Sequence, residues 1–73
     1  MADHFLLKAL KKKYEGEIYA AKANIQVYLD GAVGIGEHPD VIGALDEVYE
    51  KRAEAYDKLM LVEEDLSHAE VAE

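Results

Sequence analysis

The sequence predicts an all-α fold, an antiparallel two-helix hairpin that dimerises into a four-helix bundle. Three features predict it. An apolar helical period runs on both sides of a glycine-rich break, the break carries helix stop and start signals, and the apolar faces are too broad for two helices to cover.

The first helix is expected over residues 3–30. Leu7, Leu10, Tyr14, Ile18, Ala21, Ile25 and Tyr28 recur at intervals of 3, 4, 4, 3, 4 and 3, which is one face of a helix and not the alternation of a strand. Asp3 suits the N-cap, where its carboxylate accepts an orphan backbone N–H. Gly16 is the soft spot, costing about 1 kcal/mol relative to alanine. Slack is favoured there over a close helix contact.

Residues 31–38 form the loop. Gly31 falls where a left-handed residue ends a helix, and Gly34 and Gly36 follow. Pro39 fits the first position of a new helix, with His38 as its N-cap and Asp40 favourable to the helix dipole. Val33 and Ile35 are expected to plug the end of the bundle.

The second helix is expected over residues 39–66, with residues 67–73 a frayed tail. Its stripe is Ile42, Leu45, Tyr49, Arg52, Tyr56, Leu59 and Leu66, widened by Val41, Val48, Ala55 and Val62. Leu45, Arg52, Leu59 and Leu66 recur at sevens, as in a coiled coil. Glu47 with Lys51 and Glu54 with Lys58 are set for i, i+4 pairs.

Folding the chain at Gly34–Ile35 pairs Tyr28 with Ile42, Ile25 with Leu45, Ala21 with Tyr49, Tyr14 with Tyr56 and Leu10 with Leu59 or Met60. The same register brings Lys8 toward Glu63, Lys12 toward Asp57, and Arg52 beside Ile18 and Glu17, where a Glu17–Arg52 ion pair is expected. Leu6, Ala20, Ala23 and Val27 extend the first apolar face sideways, so another layer is required. The expected partner for that layer is a second copy, with a higher oligomer as the alternative. The residues assigned to core and oligomer contacts are Leu7, Leu10, Tyr14, Ile18, Ile25, Tyr28, Ile42, Leu45, Tyr49, Tyr56 and Leu59.

Composition narrows the function. Seventy-three residues hold one domain, and so short a chain is marginal alone without disulfides, metal or oligomerisation. Cysteine is absent, so neither disulfides nor thiolate zinc sites are available. No apolar run approaches the ~20 residues that span a bilayer, and the opening Met1-Ala2-Asp3-His4 lacks a signal peptide's basic leader. A soluble protein of the cytoplasm, or of a host's cytoplasm, is expected. Net charge is −8, which argues against direct nucleic-acid binding. The charge is polarised: residues 1–36 carry five lysines against four acids, net +1, while residues 37–73 carry three bases against twelve acids, net −9.

Catalytic chemistry is not evident. Ser67 is the one serine, and threonine and cysteine are missing, which leaves nucleophilic catalysis without a credible group. His4, His38 and His68 lie off the apolar stripes. Asp65 and Glu64 share a helix face with His68, but the Glu-x-x-His of bundle di-iron sites does not occur. Residues 31–36 lack the Lys-Ser/Thr of a phosphate-binding loop, and Glu37 and Asp40 would repel phosphate. No cofactor, metal or enzyme activity is expected.

Candidate contacts for another protein remain. Asp46, Glu47, Glu50, Glu54 and Asp57 form an acidic ridge on the second helix, which serves solubility in the plainer reading and docks a basic partner in the sharper one. Tyr19 falls off the stripe and is the exposed aromatic candidate. Arg52 is read as setting register or snorkelling, and Lys8, Lys11, Lys12 and Lys13 as compensating the acidic end of the second helix.

The octet Val33-Gly34-Ile35-Gly36-Glu37-His38-Pro39-Asp40 lies between Val27-Tyr28-Leu29 and Leu45-Asp46. In this setting the chain, from His4-Phe5-Leu6-Leu7 through Leu59, resembles short uncharacterised helical-hairpin proteins of large tailed bacteriophages, especially marine ones. The resemblance implies a viral or virus-derived accessory protein and transfers no functional residue. Three functions follow as expectations: an oligomeric interaction protein binding a host or phage protein, an acidic inhibitor of a nucleic-acid-binding protein, or a helical bundle binding a small ligand or metal.

Overall fold

A computed structural model describes residues 4–31 and 40–72, with side chains to residue 69. Two helices, α1 (Phe5–Leu29) and α2 (Val41–Ala72), pack against each other as a hairpin. The described residues contain no strand. The molecule is a rod of 55 × 15 × 14 Å, the section of two helices side by side.

The end of α1 at Gly31 is as expected, whereas its start is not. α1 begins at Phe5, after His4 in the left-handed conformation (φ 55°), and the His4 carbonyl accepts the Lys8 N–H at 3.0 Å. Asp3 lies outside the described residues, as do Val33, Gly34, Ile35, Gly36, His38 and Pro39. At its other end α1 closes on Gly31, whose φ of 72° lets its N–H reach the Tyr28 carbonyl at 3.1 Å. Gln26 Nε2 also donates to Asp30 Oδ1 at 2.9 Å.

Asp40 caps α2. The Gly43 N–H donates to Asp40 Oδ1 at 2.9 Å, and the Ala44 N–H to the Asp40 carbonyl at 3.2 Å. Gly43 matters here because a Cβ on it would collide with the Asp40 carboxylate.

The seam follows a seven-residue repeat in both helices. On α1 the buried or half-buried positions include Leu7, Lys11, Tyr14, Ile18, Ala21, Ile25 and Tyr28. On α2 they include Val41, Leu45, Val48, Arg52, Ala55, Leu59, Val62, Leu66 and Ala69. Intervals alternate between three and four, the antiparallel coiled-coil pattern. Only Ala21, Ile25, Ala55, Val62 and Leu66 are buried among the described residues, with Ala55 the most enclosed at 2% exposed.

Several expectations are corrected by this seam. Ile42, Tyr49 and Tyr56 do not face α1: they are 78%, 49% and 54% exposed, and Val41, Val48, Ala55 and Val62 occupy the seam instead. The pairs Tyr28–Ile42, Ala21–Tyr49 and Tyr14–Tyr56 are therefore not core layers. Leu10 lies at the rim, and the half-buried Lys11 takes its seam position. Glu63 meets Lys11 at 3.9 Å, about one turn along α1 from Lys8. The tail is helical through Ala72, because Leu66 and Ala69 continue the repeat and dock.

Candidate functional site

The seam divides the hairpin surface into two grooves. Residues one position after each seam residue lie on one side, and those one position before lie on the other. The first side gathers Tyr19 and Lys22 of α1 with Tyr56 of α2 around a shallow groove floored by Ile18 and Leu59. Next to it, Tyr49, Arg52, Ala53, Tyr56 and Asp57 line a notch on α2. Arg52 stacks over the Tyr49 ring at 5.9 Å, and Lys22 over the Tyr19 ring at 5.8 Å. By the same heptad position Phe5 belongs to this side. Phe5, Tyr19, Tyr49 and Tyr56 are the exposed aromatics among the described residues, so all of them lie on one side of the rod.

The second groove is polar at its centre, lined by Glu17, Ala20, Asn24, Val48, Lys51 and Glu54 around Ala21. Lys13 Nζ donates to Glu17 Oε2 at 2.7 Å on this side, and that hydrogen bond and charge raise the Lys13 pKa above its ordinary value. Glu17 is thus engaged by Lys13, and the expected Glu17–Arg52 pair is not formed. Lys58 approaches Glu54 at 3.9 Å and the Tyr14 ring at 5.7 Å. Exposed aliphatic side chains on this side flank the polar centre: Leu6, Leu10 and Leu61 toward the end far from the loop, and Val27 near the loop.

The acidic residues do not form one patch. Asp46 and Asp57 border the aromatic side, Asp57 at the notch, Glu47 and Glu54 border the polar groove, and Glu50 points from the back of α2; all five are exposed. Tyr19, 72% exposed, stands across the molecule from the Glu47–Glu54 edge. Asp46, Glu47, Glu50 and Asp57 form no ion pair among the described residues.

Among the described residues no three acidic or histidine side chains gather where they would hold a metal ion, and no helix is long and apolar enough to cross a membrane. Sequence reasoning named Tyr49 and Tyr56 as core or oligomer contacts and Arg52 as a register-setting or snorkelling residue, and paired the two tyrosines with Ala21 and Tyr14 across the hairpin. It missed Ala53, whose small side chain makes the notch. The signal was present in the intervals, since Ile42, Tyr49 and Tyr56 are a second heptad set one residue after Val41, Val48 and Ala55.

No protein-family model, curated protein or solved structure matches the chain.

Proposed function

We propose that this protein is a small non-enzymatic interaction module, a hairpin that pairs with a second copy as a four-helix bundle and offers its acidic outer surface to another protein. The observation that carries this reading is the one-sided display of Tyr19, Tyr49 and Tyr56 beside a seam with so few buried residues. A compact 8.1 kDa chain is expected to expose about 4,500 Å². This one exposes 5660 Å². The excess, about 1,200 Å², exceeds the ~800 Å² that each partner contributes to a standard interface.

The wider role follows the resemblance to phage hairpin proteins: an accessory factor of viral origin, acting in a host cell's cytoplasm on a host or phage protein. Such a partner would be basic, since residues 37–73 carry a net charge of −9. A basic partner that itself binds nucleic acid would make the protein an acidic competitor for it, a second reading that rests on Asp46, Glu47, Glu50 and Asp57, exposed and without an ion pair among the described residues.

Sedimentation equilibrium of the full chain between about 1 and 100 μM tests the bundle. A reversible dimer, or a larger closed assembly, is expected; a cooperatively folded monomer throughout would refute it. The role of the ridge is tested by replacing Glu47, Glu50 and Glu54 with lysine. Salt-sensitive capture of a basic partner should be lost, while unchanged capture would remove the ridge from the reading.

A further inference from the structure

We propose that Tyr19 of a second copy seats over Ala53, in the notch between Tyr49 and Tyr56, and that the reciprocal contact closes a dimer whose two-fold axis runs along the rod. This inference rests on the pairing proposed above and specifies its face, its symmetry and its contact.

The notch has the shape of a coiled-coil hole. Tyr49 and Tyr56 stand two turns apart on α2, and Ala53 between them ends at its Cβ. A large flat side chain fills such a gap, and a tyrosine leaves its hydroxyl at the rim where polar groups can meet it. Arg52 and Asp57 line that rim. Arg52 is half-buried on the seam and forms no ion pair among the described residues, so its guanidinium retains donors for an incoming hydroxyl oxygen. Tyr19 is 72% exposed on the same side of the rod and shares a groove with Tyr56.

Symmetry then decides what meets what. With the two-fold axis along the rod, α1 of one copy lies over α2 of the other at an unchanged level, so Tyr19 arrives at the notch. With the axis across the rod, α1 would lie over its own copy. Charge separates the two. On this side α1 presents Lys8, Lys12 and Lys22 against Glu15, whereas α2 presents Asp46, Asp57 and Glu63 against Arg52. The first arrangement sets lysines over acids, and the second sets lysines over lysines, which an interface disfavours. The contact is isologous, since Tyr19 meets the notch twice.

The chain contains no cysteine, so two single substitutions give a direct test. A Tyr19→Cys chain is mixed with an Ala53→Cys chain under mild oxidation, and covalent species are identified by mass under non-reducing conditions. A mixed disulfide dimer is expected, with at least tenfold less when Ala20→Cys, on the opposite groove, replaces Tyr19→Cys. Self-cross-linking of Ala53→Cys without the mixed product would place the axis across the rod and overturn the inference. No specific cross-link, in a chain that sediments as a dimer, would overturn this face and leave the bundle standing. A wild-type chain that sediments only as a monomer would remove both.

Discussion

The two grooves border one seam and are made by the same two helices, yet they carry opposite surfaces. One holds Tyr19, Tyr49 and Tyr56 with two cations stacked on tyrosine rings. The other is centred on Glu17, Ala20, Asn24, Lys51 and Glu54, where charged side chains flank small ones. The seam between them is built largely from small or branched residues, Ala21, Ile25, Ala55 and Val62. Small seam residues let two helices approach closely and leave the large aromatic surface outside. The contrast teaches that folding and association use different residues in this chain, so substitutions should separate them.

The largest effect expected is on association. Replacing Tyr49 and Tyr56 together with glutamate removes two aromatic contacts and places two charges in the proposed interface. Self-association should weaken by at least ~100-fold, in line with the weight of central aromatic anchors. The matching change in the polar groove, Ala20→Glu, should alter it by no more than about threefold. Both are read by sedimentation equilibrium at fixed salt, since rim charges make the constants depend on ionic strength. Equal losses from the two sides would erase the distinction between the grooves.

A smaller effect is expected at the loop end, in neither groove. Asp40→Ala removes the acceptor of the Gly43 N–H and should destabilise the fold by about 1 kcal/mol. Asp40→Asn keeps an acceptor oxygen and should recover most of that loss in urea unfolding at constant protein concentration. Constant concentration matters, because dimer stability shifts with protomer concentration by mass action. An Asp40→Asn variant as unstable as Asp40→Ala would mean that the charge at the helix start, and not the hydrogen bond, carries the effect.

What could be read from the sequence was local. The two helices and the glycine-rich break follow from apolar intervals and backbone chemistry within a few residues. Which α2 stripe faces α1 does not follow, because Val41, Val48 and Ala55 have the same spacing as Ile42, Tyr49 and Tyr56 one residue later. Side-chain size suggests the tyrosines for the core, while close helix approach selects the valines and alanine. Register was ambiguous for a related reason. A slip of one turn preserves every apolar layer, and the Lys11–Glu63 contact in place of Lys8–Glu63 is such a slip. The expected Glu17–Arg52 pair failed because Lys13, one turn away on the same helix, reaches Glu17 first. Helix end signals are legible where backbone freedom marks them, as at Gly31, and less so where a side-chain acceptor does, as at Asp40, which sequence position placed inside the second helix and which caps it at Val41.

Gly16 offers the mildest test, on the edge of α1 that faces neither groove. It shares that edge with Ala9 and Ala23, and a Cβ added to it meets nothing within 4 Å. An alanine there restricts the unfolded chain and favours the helix, without a clash in the hairpin. Gly16→Ala should therefore stabilise by up to about 1 kcal/mol, raising Tm by about 4–8 °C for a domain of this size. Self-association should stay within about twofold, because the edge lies outside the proposed interface. Thermal unfolding and sedimentation at one concentration read both quantities. If Gly16→Ala lowers Tm or weakens association instead, the Ala9–Gly16–Ala23 edge must itself be covered in the assembly. The bundle would then be larger than a dimer, and the aromatic groove would not be its sole surface of contact.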